Sequence, residues 1–480
     1  LDTSDTGLSS GQAAQTQLAL PGWRPGGDLT PLEEEMRAKA AAGELVDCGG
    51  GPFDLAEMQA WSEEQAVRAA VLRHLLVEGQ WPVAAKGVRL RGVRISGHLD
   101  LEAATFRCPL SLDSCYLDAG EPVCLDDATV PRLAITRCQL AGLRGRMLSA
   151  REVDLSGSTL TGPLLVPRAD ITGQLNCGGA KLTGKDSEGN AMVASGVKAG
   201  GYVFLDRLTA AGAVRLSGAD ITGQLNCRGA KLTGKNDDGD ALVTERMKTG
   251  GHVLLDDFTA AGTVRLASAD ITGQLSCRGA QLTGQDSYGN ALMGEGMKVG
   301  GHVLLDEGFA AAGTILLRSA RVGGSVAVGP SALAGQDKLA LDAPDAQITD
   351  TLVWRPAGQV LGQVNLAGAS VGQLEDDWGS GRPNGFWPID GRLRLDGFTY
   401  GRFGGDQQAT VEQRLEWIRS QYHGDNPAAF ATQPYEQLAA VYRRAGQDSQ
   451  ARKVAIARRA DLRKYGNLSP YRKAGNWLLD

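Results

Sequence analysis

Ala219-Asp220-Ile221-Thr222-Gly223-Gln224-Leu225-Asn226-Cys227 stands mid-chain; the same nine residues stand at 169–177 and, with Ser276 replacing asparagine, at 269–277. Fifty residues separate successive copies. A shorter period lies inside, because Gly251, Gly262, Gly273 and Gly284 are eleven residues apart, as are Gly201, Gly212, Gly223 and Gly234. Apolar residues within a unit come in pairs two apart: Val264 and Leu266, Ala269 and Ile271, then Leu275 and Cys277, Ala280 and Leu282. Period two is that of a strand and puts both members of a pair on one face, but strands this short cannot build a conventional sheet. They can form the sides of a solenoid, each coil stacked on the last, with glycine, Asx and serine at the corners. Two eleven-residue units predict a coil of about 22 residues. The five-plus-six split of each unit favours four short sides; a three-sided coil is the alternative.

Outward from the copies, the pattern runs back to Val88, Leu90, Val93 and Ile95, and on to Leu393, Leu395, Phe398 and Tyr400. The reading is a mainly β protein, a parallel β-solenoid of about a dozen coils and, at ~4.8 Å per coil, roughly 55–60 Å long. Ile221, Leu225, Ile271 and Leu275 are expected inside, and Gln224 and Gln274 outside. Solenoid ends expose strand edges and an open core, so helical caps are expected at both. Three regions follow: 1–85, a flexible start and N-terminal cap; 86–402, the solenoid; 403–480, a C-terminal cap with a basic hairpin. Thr30-Pro31-Leu32-Glu33 is a capping box with proline at N1, and Ser62-Glu63-Glu64-Gln65 is read as opening a second helix that buries Val67, Val71, Leu72, Leu75 and Leu76. At the other end, Val411, Leu415 and Ile418 mark one helix and residues 434–464 a helical hairpin.

Glycine makes up 65 of 480 residues, nearly double the ordinary ~7%, and aromatics only 5%, which fits thin coils rather than a broad core. Charged residues at 22% and hydrophobics at 42% exclude a disordered chain. The net charge of −6 is uneven: −8 over 1–85, −2 over 86–402 and +4 over 403–480, with ten basic residues between 443 and 473.

The Ala-Asp-Ile-Thr-Gly stretches resemble pentapeptide-repeat proteins, which implies a right-handed, four-sided β-helix over roughly 86–402. More closely, RGVRISGHLDLEAATF at 91–106, ADITGQLNCRGAKLTG at 219–234, PYEQLAAVYRRAG at 434–446 and ARKVAIARRADLRKYG at 451–466 resemble a bacterial, largely actinobacterial family labelled membrane-associated oxidoreductases. The resemblance implies membrane association and a hydrophobic segment after the basic hairpin, which the residues through Asp480 do not supply. The redox label comes with the resemblance, not with any residue.

No catalytic residue, cofactor or metal site is read from the sequence: no dinucleotide fingerprint opens a helix after a strand, and no CxxC occurs. Cys115, Cys138, Cys177, Cys227 and Cys277 fall on inward positions and are expected to be reduced, packed thiols, which points to a cytoplasmic setting. His252 and His302 share a position with Tyr202 and are read as an outward ladder; Asp206, Asp256 and Asp306 recur at a corner. Three loops, KDSEGN at 185–190, KNDDGD at 235–240 and QDSYGN at 285–290, lack the EF-hand spacing and are read as turns. Stacked on one edge, they would form a recognition surface.

Residues 374–390 break the repeat. They carry Glu375, Asp376, Asp377, Trp378, Phe386 and Trp387, read as a candidate binding loop or as a lid over the last coils. Arg452, Lys453, Arg458 and Arg459 are candidate contacts to a membrane surface. The functional expectation is a non-catalytic scaffold with a protein partner, held at the cytoplasmic face of a bacterial membrane. Anionic lipid is a second candidate partner and self-association is compatible. The near-neutral solenoid argues against nucleic acid and against DNA mimicry. The alternative is an oxidoreductase with its site near Trp354 or the 374–390 insertion.

Overall fold

The computed structural model describes residues 23–466 except 50, 52, 330, 334–338, 380–382, 406–407 and 423–429. The start expected to be flexible (1–22) and the basic pair Arg472 and Lys473 lie outside the described residues.

Alternation of inward and outward residues over two to four positions yields strands that pair only with the coil before and the coil after. One coil runs Asp220–Ile221, Leu225–Asn226, Lys231–Leu232 and Asp240–Val243, so it has four sides. Among the described residues every strand pairing is parallel, as coil stacking requires: Leu225 lies against Val203 on one side and Val253 on the other. The longer strand Gln347–Trp354 runs through the first and second sides, pairing Gln347 with Arg321 and Leu352 with Val326, and joins both into one sheet. Thirteen successive pairings on the second side, from Val88 to Phe403, set a length of ~60 Å at ~4.8 Å each.

The fifty-residue repeat is two coils, not one. Val203 to Leu225 is a step of 22 residues and Leu225 to Val253 a step of 28, because a loop enters the fourth side on alternate coils. Core size alternates in phase with the loop. On the third side Leu182, Ala210, Leu232, Ala260 and Leu282 stack in turn, all 2% exposed or less. Ile221, Leu225, Ile271 and Leu275 are fully buried, while Gln224 and Gln274 stay outside the core.

The corners use glycine for a different reason from the expected one. Gly273 does not take a left-handed conformation; a Cβ there would lie 2.5 Å from the His252 Nδ1 of the previous coil and 2.7 Å from the Gly251 oxygen. Close approach between coils is what excludes a side chain. The left-handed turn positions are instead filled as often by Arg168, Arg207, Asp257 or Ser268, with φ between 53° and 56°, as by glycine.

Helices close both ends. Helix α1 (Pro31–Ala42) starts with the expected capping box and buries Leu32, Met36 and Ala40. The short α2 (Leu55–Gln59) follows. The second expected N-terminal helix does not begin at Ser62, which caps nothing; residues 63–65 form a 3-10 turn and Ala66–Arg68 a strand whose Val67 lies against Ile95. Pairing with the first coil wins over helix propensity at this β-branched residue. Helix α3 then covers Ala69–Val77. Val46–Asp47 likewise pairs with Leu90–Arg91, so two segments from before 86 add strands to the solenoid.

At the other end lie α4 (Val411–Arg419), α5 (Gln433–Arg444) and α6 (Asp448–Tyr465). The last coil's free backbone groups are satisfied by cap side chains: Leu395 N–H donates to Gln421 Oε1, Gly397 N–H to Gln433 Oε1, and Gln437 donates to the Tyr400 oxygen at 2.6 Å. A covered edge cannot template further strand pairing.

Candidate functional site

The three loops have one shape, and the residues at their start explain it. Asp186 Oδ1 accepts from the N–H groups of Glu188 and Asn190, Asp286 Oδ1 from those of Tyr288 and Asn290, and Asn236 Oδ1 from that of Asp240. Gly189, Gly239 and Gly289 all take φ of 86° to 88°. Aspartate and asparagine serve equally because the acceptor oxygen, not the charge, closes the turn. These oxygens are occupied by the loops' own backbone. The loops recur every second coil, ~9.6 Å apart, yet the first two touch, since Asp237 N–H donates to the Glu188 oxygen at 3.1 Å.

A cleft of about 730 Å³ opens between the second and third loops. Its floor is an ion pair: Arg265 holds Asp240 through two bonds of 2.9 and 3.0 Å and reaches Glu245 at 3.6 Å. Burial pushes the Asp240 carboxyl up against the opposing pull of Arg265. Five carboxylates and three cationic side chains line the cleft, and Tyr288 stands at its rim, 88% exposed on a chain poor in aromatics.

The 374–390 insertion lies elsewhere and faces the other way. Trp387 is fully buried, stacked on Trp354 with ring centres 4.4 Å apart, and Trp378 is 8% exposed. Asp376 accepts from Trp387 Nε1 at 2.9 Å and from both terminal nitrogens of Arg414 on α4 at 2.6 and 2.7 Å. Burial alone would raise the Asp376 carboxyl; the charge and hydrogen bonds of Arg414 outweigh it and hold it below the ordinary carboxylate range. Glu375 pairs with Arg355 at 2.6 Å, Asp377 Oδ1 accepts from Gly379 N–H, and Phe386 is half-buried in a left-handed turn. The described part of the segment thus packs inward, with Trp378 and Trp387 buried beside Trp354 rather than exposed on the surface.

On the hairpin, Arg452 and Arg459 are exposed, but Lys453 is paired with Glu412 of α4 at 2.9 Å and Arg458 with Glu436 of α5 at 2.6 Å. Two of the four basic candidates thus clamp helices together. Among the described residues no helix is long and apolar enough to cross a membrane.

Each cysteine is a free thiol. Burial, with Asp154 adding to it, pushes the Cys177 thiol up to about 12, and burial likewise raises Cys138, Cys227 and Cys277. Protonated, enclosed thiols are poor nucleophiles. His252 and His302 are exposed, and each Nδ1 accepts a backbone N–H of the next coil, from Gln274 and Ser325 respectively, at 3.0 Å. Sequence reasoning missed this stapling role, and Tyr202 at the equivalent position gave no signal of it. It also missed Asp100, Glu102 and Cys124, whose ligand atoms lie within 4.8 Å of one another through a bridge between coils. Burial raises that thiol too, and Asp100 is engaged in closing its own turn to Glu102.

Comparison with known proteins finds no matching family model, and no match among curated proteins or solved structures.

Proposed function

We propose that this chain is an interaction scaffold whose recognition face is the edge carrying the three loops. The observation that carries the reading is the repetition of one rigid loop at two-coil intervals around an open, charged cleft with Tyr288 exposed at its rim. A rigid rod that fixes the loops' spacing lowers the ordering cost of binding, and an exposed aromatic beside charged groups is the composition of a protein contact. The partner proposed is a protein. The location proposed is the cytoplasmic face of a bacterial membrane; what supports it is the basic hairpin, where Arg452 and Arg459 flank Ile456, 65% exposed, on one face of α6.

A photo-reactive residue at position 288, compared with one at the exposed Asp170 on another side of the rod, tests the reading in the native cell. Position 288 should capture a single defined protein and position 170 should not. Asp237→Lys with Asp238→Lys should abolish the capture without changing the melting temperature. Identical adducts from both positions, or capture indifferent to the charge reversal, would overturn it.

A further inference from the structure

A second cleft, of about 570 Å³, opens where the last coil meets the helical cap, between residues 401–403, the start of α4 and the end of α5. That volume lies in the ~300–1,000 Å³ range of small-molecule sites. Its chemistry is opposite to that of the loop cleft. Arg402, Arg414 and Arg444 line it, and no described lining residue is acidic.

The three arginines are not equivalent. The charge of Arg414 is matched by Asp376, and its guanidinium lies 4.0 Å from the ring centre of Phe403, so it forms a fixed wall. Among the described residues Arg402 and Arg444 bond to neutral acceptors: Arg402 Nε donates to Gln373 Oε1 at 2.6 Å, and Arg444 donates to the backbone oxygens of Ala440 and Tyr400 at 3.4 and 3.3 Å. These bonds orient the two exposed guanidinium groups, and no described carboxylate forms an ion pair with either. Tyr442 also lines the cleft, is only 7% exposed, and donates to no described residue. Burial raises its phenol, so it keeps its proton for donation. The first-turn N–H of Gln413 is already taken by Thr410, so the site rests on side chains rather than on the helix end.

Oriented cationic forks beside a phenol hydroxyl donor match an oxyanion with several equivalent oxygens. We infer that this cleft binds a phosphate-bearing small molecule, with Arg402 and Arg444 taking the phosphate oxygens and Tyr442 donating to them. The inference stands apart from the loop face and survives its failure.

Calorimetric titration of the full chain with inorganic phosphate and with AMP, at fixed ionic strength set by chloride, is the test. Saturable binding of phosphate alone supports a free-anion site, and tighter binding of AMP supports a phosphate ester. Arg402→Gln with Arg444→Gln should weaken binding by at least about tenfold while leaving the melting temperature unchanged, because neither side chain is in the core. Tyr442→Phe should weaken it by about threefold or more. Arg132→Gln, far along the solenoid, should have no effect. Absence of saturable binding by both probes, or equal affinity in the double variant, overturns the inference.

Discussion

Gly234 shows what the eleven-residue glycine is for. A Cβ there would fall on the Ala211 carbonyl of the coil beneath, which cannot move without breaking the ladder. Arg207 holds the opposite kind of position, a left-handed corner at φ 53° that costs a side chain about 1–2 kcal/mol and suits glycine. Gly234→Ala should therefore destabilise the protein by at least about 2 kcal/mol, as overpacking against backbone does. Arg207→Gly should be neutral or stabilise by up to about 1 kcal/mol, since the entropy of glycine offsets part of the relief. Urea midpoints of the two variants check the pair; a harmless Gly234→Ala would mean that the coils can separate. The motif glycines were legible as a period, but their reason was not, because the clash is with a residue 23 positions earlier.

At the scale of elements, the C-terminal plug joins a broken repeat to a helix. Residues 374–390 carry Asp376 and Trp387 inward, and α4 supplies Arg414, 1% exposed, to pair with that carboxylate. Asp376→Asn should cost about 3–5 kcal/mol, because it leaves a buried guanidinium without its counter-charge. The pH dependence has a definite sign. The folded carboxyl lies below its ordinary value of 3.8, so the folded state binds fewer protons than the unfolded one. The stabilisation is complete above that unfolded value and is lost as pH falls through the still lower folded one. Below about pH 5 the wild-type urea midpoint should fall more steeply than that of Asp376→Asn, and parallel curves would remove the pair from the acid response. The insertion was visible in the sequence as an aromatic-rich break, yet nothing local said that it turns inward; its partner Arg414 is 38 residues on.

Over the whole molecule, charge is graded along the sequence, from −8 across the first 85 residues to +4 beyond 402. A polarised rod can be oriented by a charged surface, and each basic residue near anionic lipid contributes about 1 kcal/mol. Vesicles containing phosphatidylserine should bind the full chain weakly, with the attraction fading as salt shortens the Debye length from ~10 Å at 0.1 M to ~3 Å at 1 M. Arg443→Glu with Arg452→Glu, both exposed beside the hairpin turn, should weaken sedimentation with the vesicles and leave melting unchanged. Lys453→Glu with Arg458→Glu should instead lower the melting temperature, because it sets carboxylates against Glu412 and Glu436. Binding indifferent to salt or to the first pair would make the hairpin a cap alone.

The sequence by itself determined the coil, the inward positions of Ile221, Leu225 and Cys227, and helices at both ends; it favoured four sides, and the structure decided them against three. A stacked coil meets near-copies of itself, so the local period already contains the tertiary contacts. Only the tertiary structure decided what lies outside that self-similarity. Val46–Asp47 and Ala66–Arg68 were drawn into the solenoid as strands, and Trp354, Trp387 and Trp417 met at one end. The arginine-lined cleft was closed from three separate elements. Each depends on contacts between residues of unlike sequence that are far apart along the chain, where no period repeats and only packing brings them together.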